Sequence, residues 1–393
     1  MKYVVILGDG MADYPLAELA GKTPLEVARK PFMDRIADRA VRYGLAQTTV
    51  RHLPAGSDVA NLSVMGYDPE QYYEGRGPLE AASMGVKLKP DDVAFRCNLI
   101  TADDLIVDYS AGHITTAEAA ELIRHIDSQL GSSTTRFYPG VSYRHLLVIN
   151  RCPPGILCTP PHDVVGQKVD QHLPRGEGSD AIVGLIEASR GLLDEHPVNK
   201  KRVAGGKRPA NSIWPWGQGR TPTMPTYRQK YGLEGAVISA VDLIKGLGVF
   251  AGLEVIDVPG ATGYLDTDYG AKARYALKAL ERKDFVFIHV EAPDEASHEG
   301  RLKEKIKAIE DLDRMLVGPV LDGLESLGDF RLMLLPDHPT PLSTKTHAYD
   351  PVPFAIYDSR NNIINNRRYD ERSMSGGEFV PHGHDLMGLL IEG

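Results

Sequence analysis

Aspartate and histidine residues of the kind that bind divalent cations occur at well-separated places in the chain, after or close behind apolar runs. Mixed carboxylate and imidazole ligands suit manganese or zinc, and suit magnesium less well. Because one ion would not use all of these groups, we predict two divalent cations, with manganese as first choice, and a site for phosphoryl transfer. The candidate ligands are Asp9, Asp294, His298, Asp337, His338 and His347.

The apolar runs indicate which elements must hold these ligands. Residues 3–7, 285–290 and 330–335 are largely apolar and rich in β-branched or aromatic side chains, which is typical of strands buried on both faces of a parallel sheet. Strand and helix patterns alternate through the last third of the chain, which indicates βαβ units. We therefore predict an α/β fold with a central, mostly parallel sheet flanked by helices, and ligands at the carboxyl ends of its strands.

Each ligand pair also has an ordinary explanation when it is taken alone. Asp294 and His298 are four residues apart, so a helical turn would point both the same way, but a surface ion pair or a capping aspartate fits equally well. Asp337 and His338 are adjacent and flanked by prolines, which favours a turn; a solvated turn has the same pattern. His347 alone is typical of a structural histidine. The combination of these segments predicts the cation site.

Ser57 is the candidate nucleophile. It follows the Pro-Ala-Gly turn at 54–56 and precedes a predicted helix at 58–65. Its hydroxyl would therefore lie at a helix N-terminus, where backbone N–H groups favour an alkoxide or a phosphate. A serine in this place is also a common N-cap. A nucleophilic role requires a group that lowers the pKa of the hydroxyl, and the predicted cations would supply it.

The candidate ligands lie near the two ends of the chain and are separated by a long segment without clear ligands. This distribution predicts one domain interrupted by another. We expect residues 1–75 and 226–393 to form a metal-binding catalytic domain and residues 76–225 to form an inserted, substrate-binding α+β cap. Polar starting residues and apolar residues at helical spacing predict cap helices at 116–130 and 179–193.

Composition excludes several classes of protein. With 393 residues and 42% hydrophobic content, the chain can form two domains or one large one. A net charge of -9 argues against broad binding to nucleic acid or membrane surfaces. The cysteines, Cys97, Cys152 and Cys158, are odd in number and lack CxxC spacing, so they indicate neither a disulfide framework nor a thiolate zinc site. We expect a cytoplasmic enzyme without a targeting segment, membrane span or evident partner protein.

Longer motifs give a specific resemblance. The chain contains GDGMADYPL, LPAGSDVANLSVMGYDP, ANSIWPWGQG, VPGATGYLDTDYGAKA, IHVEAPDEASHEG, LPDH and KTHAYDPVPF. These segments resemble the archaeal-type, cofactor-independent phosphoglycerate mutases of the alkaline phosphatase superfamily. The resemblance covers nearly the whole chain. It implies an alkaline-phosphatase-like domain interrupted by an inserted cap.

The resemblance also implies a reaction. Members would interconvert 3-phosphoglycerate and 2-phosphoglycerate in glycolysis and gluconeogenesis, without bisphosphoglycerate, through a phosphoserine formed on Ser57. The cap would have to exclude water, because a hydrolysed phosphoserine would make the enzyme a phosphatase. Two divalent ions are implied, with zinc, cobalt or magnesium as alternatives to manganese. One ion would be held by Asp294, His298 and His347, and the other by Asp9, Ser57, Asp337 and His338.

Substrate-binding residues are harder to assign from the sequence. Longer bacterial-type relatives carry a dense arginine cluster in their cap, and no equivalent run occurs in this sequence. An arginine fork fits a carboxylate or phosphate better than a lysine does, yet every candidate here also reads as a solvated or structural residue. Trp214 and Trp216 could line a hinge or a pocket, but we favour buried packing as the simpler explanation. The candidates are Asp108, His113, Arg144, His145, His162 and Lys245.

Other functions remain compatible with the same cation site. Some relatives with this motif set have been proposed to act as homoserine kinases of threonine synthesis, although the chain has neither a P-loop nor a GxGxxG fingerprint. A metal-dependent phosphohydrolase or a related phosphomutase would need only a different cap pocket. A metal-binding module without activity is a third possibility. His382 and His384, in PHGHDLM, we interpret as an exposed turn.

Overall fold

The chain folds into two compact units in the computed structural model, which describes residues 1–153 and 155–393. The first unit combines Met1–Tyr73 with Thr223–Gly393, and the second is the continuous segment Glu74–Pro222. The strands are β1 Lys2–Gly8, β2 Ala40–Ala46, β3 Asp92–Ala102, β4 Ile106–Asp108, β5 Thr135–Tyr138, β6 Arg144–Asn150, β7 Ser212–Gly219, β8 Gly235–Ile238, β9 Glu254–Val255, β10 Phe285–Val290, β11 Phe330–Leu335, β12 Val352–Asp358 and β13 Glu378–Val380.

Helices connect and cover these strands. A π-helical segment, Asp313–Val317, joins α14 to α15, and short 3-10 helices lie at Ala17–Leu19, Pro161–Val164 and Gly383–Asp385. The helices are α1 Pro24–Val27, α2 Pro31–Asp38, α3 Ser57–Val64, α4 Pro69–Tyr72, α5 Arg76–Ser83, α6 Thr116–Leu130, α7 Val169–His172, α8 Ser179–Asp194, α9 Pro197–Ala204, α10 Tyr227–Tyr231, α11 Asp242–Phe250, α12 Tyr269–Leu280, α13 Ala292–His298, α14 Leu302–Leu312, α15 Gly318–Glu325, α16 Glu371–Met374 and α17 Leu386–Glu392.

The sheet of the first unit has the strand order β13-β2-β12-β11-β1-β10-β8-β9. Strand β1 lies between β10 and β11 and runs parallel to both. Only the pairings of β12, with β11 and with β2, are antiparallel among the described strands of this sheet. The α/β fold with a central, mostly parallel sheet is therefore confirmed.

Apolar side chains on β1, β10 and β11 explain why these strands occupy the centre of the sheet. Val4, Ile6, Ile288 and Leu334 are fully buried in one core with the apolar faces of α12, α14 and α15. Fully burying a side chain of this size stabilises the fold by about 1.5–3 kcal/mol. The three strands predicted from the sequence, and the helices predicted at 58–65 and 116–130, are present within one residue at each end.

The second unit is built on an antiparallel sheet in the order β4-β3-β6-β5, with β7 on the other side of β3 from β6. Helices α6 and α8 cover one face and bury Phe95, Leu99 and Leu147. Helix α6 begins at a capping box in which Thr115 and Glu118 bond each other's backbone N–H groups. Helix α5 packs on Ala94 and Leu146, on the opposite face.

The cysteines are unpaired, and Cys97 and Cys152 are buried. Trp214 and Trp216 are also buried and donate their indole N–H groups to Thr159 O and Asn98 Oδ1, so packing accounts for both. Among the described helices, none combines the length and the apolar character that crossing a bilayer requires.

Candidate active site

The carboxyl ends of three neighbouring strands bring the ligand-bearing segments together. Gly8 of β1 pairs with Val290 of β10, and Leu7 pairs with Leu335 of β11. Because these strands are parallel and in register, the chain leaves the sheet at adjacent points after each of them. Asp9 follows β1 directly, α13 follows β10, and Asp337 comes two residues after β11.

Asp294, His298 and His347 form the first group of candidate ligands. Both residues from α13 face the same side: His298 Nε2 lies 3.1 Å from Asp294 Oδ2. His347 Nε2 lies 3.0 Å from His298 Nε2 and 3.8 Å from Asp294 Oδ1. His298 Nδ1 is 2.9 Å from the carbonyl of Lys345, which places a proton on Nδ1 and leaves Nε2 as the nitrogen that a cation would bind. The two Nε2 atoms therefore converge where a shared cation would be bound.

Asp9, Ser57, Asp337 and His338 form the second group. Ser57 Oγ lies 3.1 Å from His338 Nε2 and 3.4 Å from Asp9 Oδ2. His338 Nε2 is 3.5 Å from Asp9 Oδ1 and 3.4 Å from Asp337 Oδ2. Asp9, Asp337 and His338 are buried, and Ser57 is half-buried. The residues that the motifs assigned to this group are therefore within contact distance of one another.

Two further side chains of this group were not predicted from the sequence. His289, in the middle of an apolar strand, lies with Nε2 3.0 Å from Asp9 Oδ2 and Nδ1 3.2 Å from Ser239 Oγ. Asn61, one turn after Ser57 on α3, donates to Asp337 Oδ2 at 2.8 Å. The signal for His289 was a lone polar residue in the otherwise apolar run FVFIHV, which strand periodicity alone does not assign to a ligand site.

The electrostatics favour a bound cation. Burial, with nearby Asp337 and Asp294, raises the pKa of Asp9 well above its usual value. Burial alone would raise the pKa of Asp294 as well, but hydrogen bonds with His298 and His347 hold it well below its usual value. Although burial opposes it, contact with Asp294 raises the pKa of His298 to about 9. A divalent cation would relieve the repulsion between the carboxylates and displace the proton from His298.

A buried oxygen atom of Asp9 without a hydrogen-bond partner indicates whether the residues fit a metal. Asp9 Oδ1 is buried and has no hydrogen-bond partner, whereas its Oδ2 contacts His289 and Ser57. Buried carboxylate oxygens are rarely left without a partner. Asp9 also forms, with Asp294 and His338, a group whose ligand atoms lie close enough to hold one cation. The residues present therefore fit divalent cations in both groups.

The remaining candidates are divided between the two units. Lys245, in the first unit, is paired with Asp257 at 2.7 Å. Asp108 is in the second unit, where Ser110 and Gly112 of its own loop and Arg208 already bond to its carboxylate. His113 and His162 join a series of ring contacts: His113 to Tyr143, Tyr143 to Tyr109, Tyr109 to His162 and His162 to Trp216.

The fold of the second unit brings together arginines that are dispersed in the sequence, where no dense cluster is evident. Arg96 and Arg76 lie 5.0 and 5.6 Å from the Trp216 ring. Both pair with the buried Glu80, at 2.7 and 3.0 Å. Arg144 is close enough to lower the pKa of Glu80 together with them. We call Arg76, Glu80, Arg96, Arg144 and Trp216 the arginine cluster.

Buried donors in and beside the arginine cluster lack partners. The Nε atoms of Arg96 and Arg144 are buried without a hydrogen bond. His145 accepts from Gly140 N through Nδ1, so its Nε2 carries the proton, and this atom is also buried and unpartnered. Burial lowers the pKa of His145 to about 3, so the ring is neutral. Buried N–H groups of this kind suit an acceptor such as an anion.

An α/β sheet whose carboxyl edge gathers two groups of carboxylates and imidazoles defines a class of metal-dependent enzymes. Comparison with known proteins identifies the family within this class. A family model described as 2,3-bisphosphoglycerate-independent phosphoglycerate mutase matches residues 39–199. The chain is 55% identical to the Methanosarcina acetivorans protein of that name, over the full length of both. The chain therefore belongs to the 2,3-bisphosphoglycerate-independent phosphoglycerate mutase family, whose members are isomerases.

Solved structures agree with this placement. A protein from Pyrococcus horikoshii superposes with a TM-score of 0.85 at 29% identity, covering 100% of this chain and 96% of that one. The cofactor-independent phosphoglycerate mutase from Thermoplasma acidophilum superposes with a TM-score of 0.66 at 28% identity, covering 100% and 99% of the two chains.

Proposed function

We propose that the protein interconverts 3-phosphoglycerate and 2-phosphoglycerate without bisphosphoglycerate, through a phosphoserine on Ser57. The single observation that carries the proposal is the position of Ser57. Its hydroxyl lies at the first residue of α3, within 3.4 Å of both Asp9 and His338. Membership in the mutase family supports the substrate assignment.

The reaction would proceed in two displacements. In the first, Ser57 Oγ attacks phosphorus, the bond from phosphorus to O3 of glycerate breaks, and the serine proton passes to that oxygen. In the second, the glycerate 2-hydroxyl attacks the phosphoserine, the bond to Ser57 Oγ breaks, and the serine regains a proton. The N-terminus of α3, where Ser57 lies, would favour negative charge on the transferred group.

Two divalent cations would be held by the two ligand groups, one by Asp294, His298 and His347 and the other by Asp9, Ser57, Asp337 and His338. When bound, they would lower the pKa of the Ser57 hydroxyl and stabilise charge on the phosphoryl oxygens. Three imidazoles beside three carboxylates favour manganese, because magnesium prefers an all-oxygen shell with retained water.

Substrate recognition we assign to the inserted unit. Arg96 and Arg144 of the arginine cluster, together with His145, supply buried N–H groups that suit the carboxylate or phosphate of a phosphoglycerate. His113 and His162 would contribute through the ring contacts that link them to Trp216. Asp108 and Lys245 are weaker candidates, because each is already paired within its own unit. The unpaired cysteines support a reducing, cytoplasmic location.

The decisive experiment is an assay of 3-phosphoglycerate conversion, read through enolase. Metal-free protein is reloaded with manganese and assayed without bisphosphoglycerate. We expect turnover by the wild type and a loss of at least about 1,000-fold in Ser57→Ala, because removing a covalent nucleophile abolishes the main route. Ser63→Ala, a buried serine on the same helix, is the matched control and should keep its activity.

Each alternative function has its own outcome in this experiment. Release of free phosphate without 2-phosphoglycerate would make the protein a phosphohydrolase. Transfer from ATP to homoserine by an enzyme inactive on phosphoglycerate would leave the cation site intact and overturn the substrate assignment. Undiminished turnover by Ser57→Ala would remove Ser57 from the mechanism.

A further inference from the structure

Thr340 connects the two groups of candidate ligands through one hydroxyl. It is fully buried, and its Oγ lies 2.5 Å from Asp294 Oδ1 and 3.2 Å from His338 Nδ1. A hydroxyl has one proton to donate, and a carboxylate can only accept, so Thr340 donates to Asp294 and accepts from His338 Nδ1–H. The proton of His338 is thereby fixed on Nδ1. Its Nε2, which faces Ser57 and Asp9, keeps the lone pair.

Lys305 fixes the position of Thr340 by donating to its backbone carbonyl. It lies on α14 with its side chain fully buried. Its ammonium group donates to Thr340 O and Asp13 Oδ2, both at 2.9 Å, and to Ala12 O at 3.3 Å. The three protons of the ammonium group thus reach acceptors in two chain segments, residues 12–13 and residue 340. The first segment begins three residues after Asp9, and Thr340 lies two residues after His338.

Asp13 completes the connection between the segments. Its carboxylate accepts from Lys305, from Tyr14 N at 2.8 Å and from Leu342 N at 3.2 Å. Thr340 N donates to Ala12 O at 3.2 Å. The geometry is tight around this contact: Gly10 has a φ of +61°, and a methyl group there would lie 2.7 Å from Thr340 Oγ. Only glycine fits this approach without strain.

We propose that Lys305 and Thr340 are positioning residues for both cation sites. Thr340 orients Asp294 in one group and selects the metal-binding nitrogen of His338 in the other, and Lys305 fixes Thr340. This inference rests on the proposed ligand groups and concerns the affinity for the cations, not the identity of the substrate. Residues that hydrogen-bond to metal ligands and orient them typically contribute to metal affinity, which falls by about 10–100-fold when such a residue is removed.

The first test removes only the hydroxyl. Thr340→Val keeps the shape of the side chain, and Thr340→Ser keeps its hydroxyl. By titration calorimetry of manganese into metal-free protein, we expect about 10–100-fold weaker binding in Thr340→Val and recovery to nearly the wild-type affinity in Thr340→Ser. The matched control is Thr101→Val, which removes a buried hydroxyl bonded to Pro209 O in the other unit and should leave affinity unchanged.

The second test separates positioning from general stability. Lys305→Met and Lys30→Met each remove a fully buried ammonium, but the ammonium of Lys30 pairs with Asp34 on α2. Both variants should lower the melting temperature of the metal-free protein. Only Lys305→Met should also weaken manganese binding. If Lys305→Met does not fold, the manganese affinities of Thr340→Val and Thr340→Ser test the positioning role instead.

The outcomes distinguish this inference from the proposed function. Manganese affinity unchanged in Thr340→Val, or weakened equally in Thr101→Val, would overturn the positioning role while the wild type still binds the metal. Failure of Thr340→Ser to restore affinity would overturn the role of the hydroxyl. A wild type that does not bind manganese would instead refute the ligand groups on which the inference rests.

Discussion

At the scale of single residues, the arginine cluster makes a kinetic prediction. Arg144→Gln removes a charged donor whose Nε is buried without a partner in the protein. If this donor binds the substrate, its loss should cost about 1.5–3 kcal/mol, which corresponds to roughly a 10- to 150-fold drop in kcat/KM. Steady-state kinetics with 3-phosphoglycerate would measure the change.

Arg136→Gln is the control for that variant. Arg136 lies on β5, beside β6, but is exposed and already bonded to Asp127 through both Nε and Nη2. Its loss should leave kcat/KM unchanged. Equal kinetics for Arg144→Gln and the wild type, with manganese affinity also unchanged, would exclude Arg144 from substrate binding.

Individual residues also show which parts of the candidate site could be predicted from the sequence. It could be predicted that the candidate ligands after apolar strands would meet, because a parallel sheet places the residues that follow its central strands at one edge. His289 could not be predicted, because it lies within a strand and acts on Asp9 through a contact across the sheet. The arginine cluster was missed for a similar reason: Arg76, Arg96 and Arg144 meet only after α5, β3 and β6 have packed together.

At the scale of elements, the outermost strand β13 depends on a glycine. Gly44 of β2 is opposite Glu378 of β13, and a methyl group at Gly44 would lie 1.8 Å from Glu378 O. Gly44→Ala should therefore displace β13 and lower the free energy of unfolding by about 1–3 kcal/mol. Urea unfolding of the full chain would measure the loss.

Gly388 offers the matched comparison. It lies in α17, and a methyl group there would meet no atom within 4 Å. Because alanine favours a helix by up to about 1 kcal/mol over glycine, Gly388→Ala should stabilise the same unit slightly. A stability of Gly44→Ala equal to that of the wild type would show that β13 can move without cost.

The strands and helices themselves were easier to predict from the sequence than the order and direction in which the strands pair. Continuous apolar runs identified β1, β10 and β11, and a polar starting residue followed by apolar residues at helical spacing identified α6. The antiparallel placement of β12 between β2 and β11 was not predicted, because a fully buried strand reads the same in either direction. Its direction depends on the path of the connecting chain, which the local pattern does not encode.

At the scale of the whole molecule, the inserted unit should be separable. Its two connections run side by side, since a methyl group at Gly219 would lie 1.6 Å from Glu74 O. We therefore expect residues 1–73 joined to 223–393 by a Gly/Ser linker of about six residues, spanning roughly 20 Å, to fold and to bind manganese. This protein should lack mutase activity, because the arginine cluster is removed.

Circular dichroism, manganese titration and the enolase-coupled assay would check these three expectations separately. Residues 74–222 expressed alone provide the complementary control, because this segment has its own apolar core on α6 and α8. Mutase turnover by the shortened protein would show that substrate recognition does not require the inserted unit.

The position of β1 has a consequence for synthesis of the chain on the ribosome. Tyr3 pairs with Phe285, so β1 must wait for a neighbouring strand that is encoded about 280 codons later. At about 5–20 residues per second this delay is roughly 15 seconds to a minute. The nascent β1, with its apolar side chains exposed, is then a natural client for a chaperone. The continuous segment Glu74–Pro222 can acquire its structure during that wait.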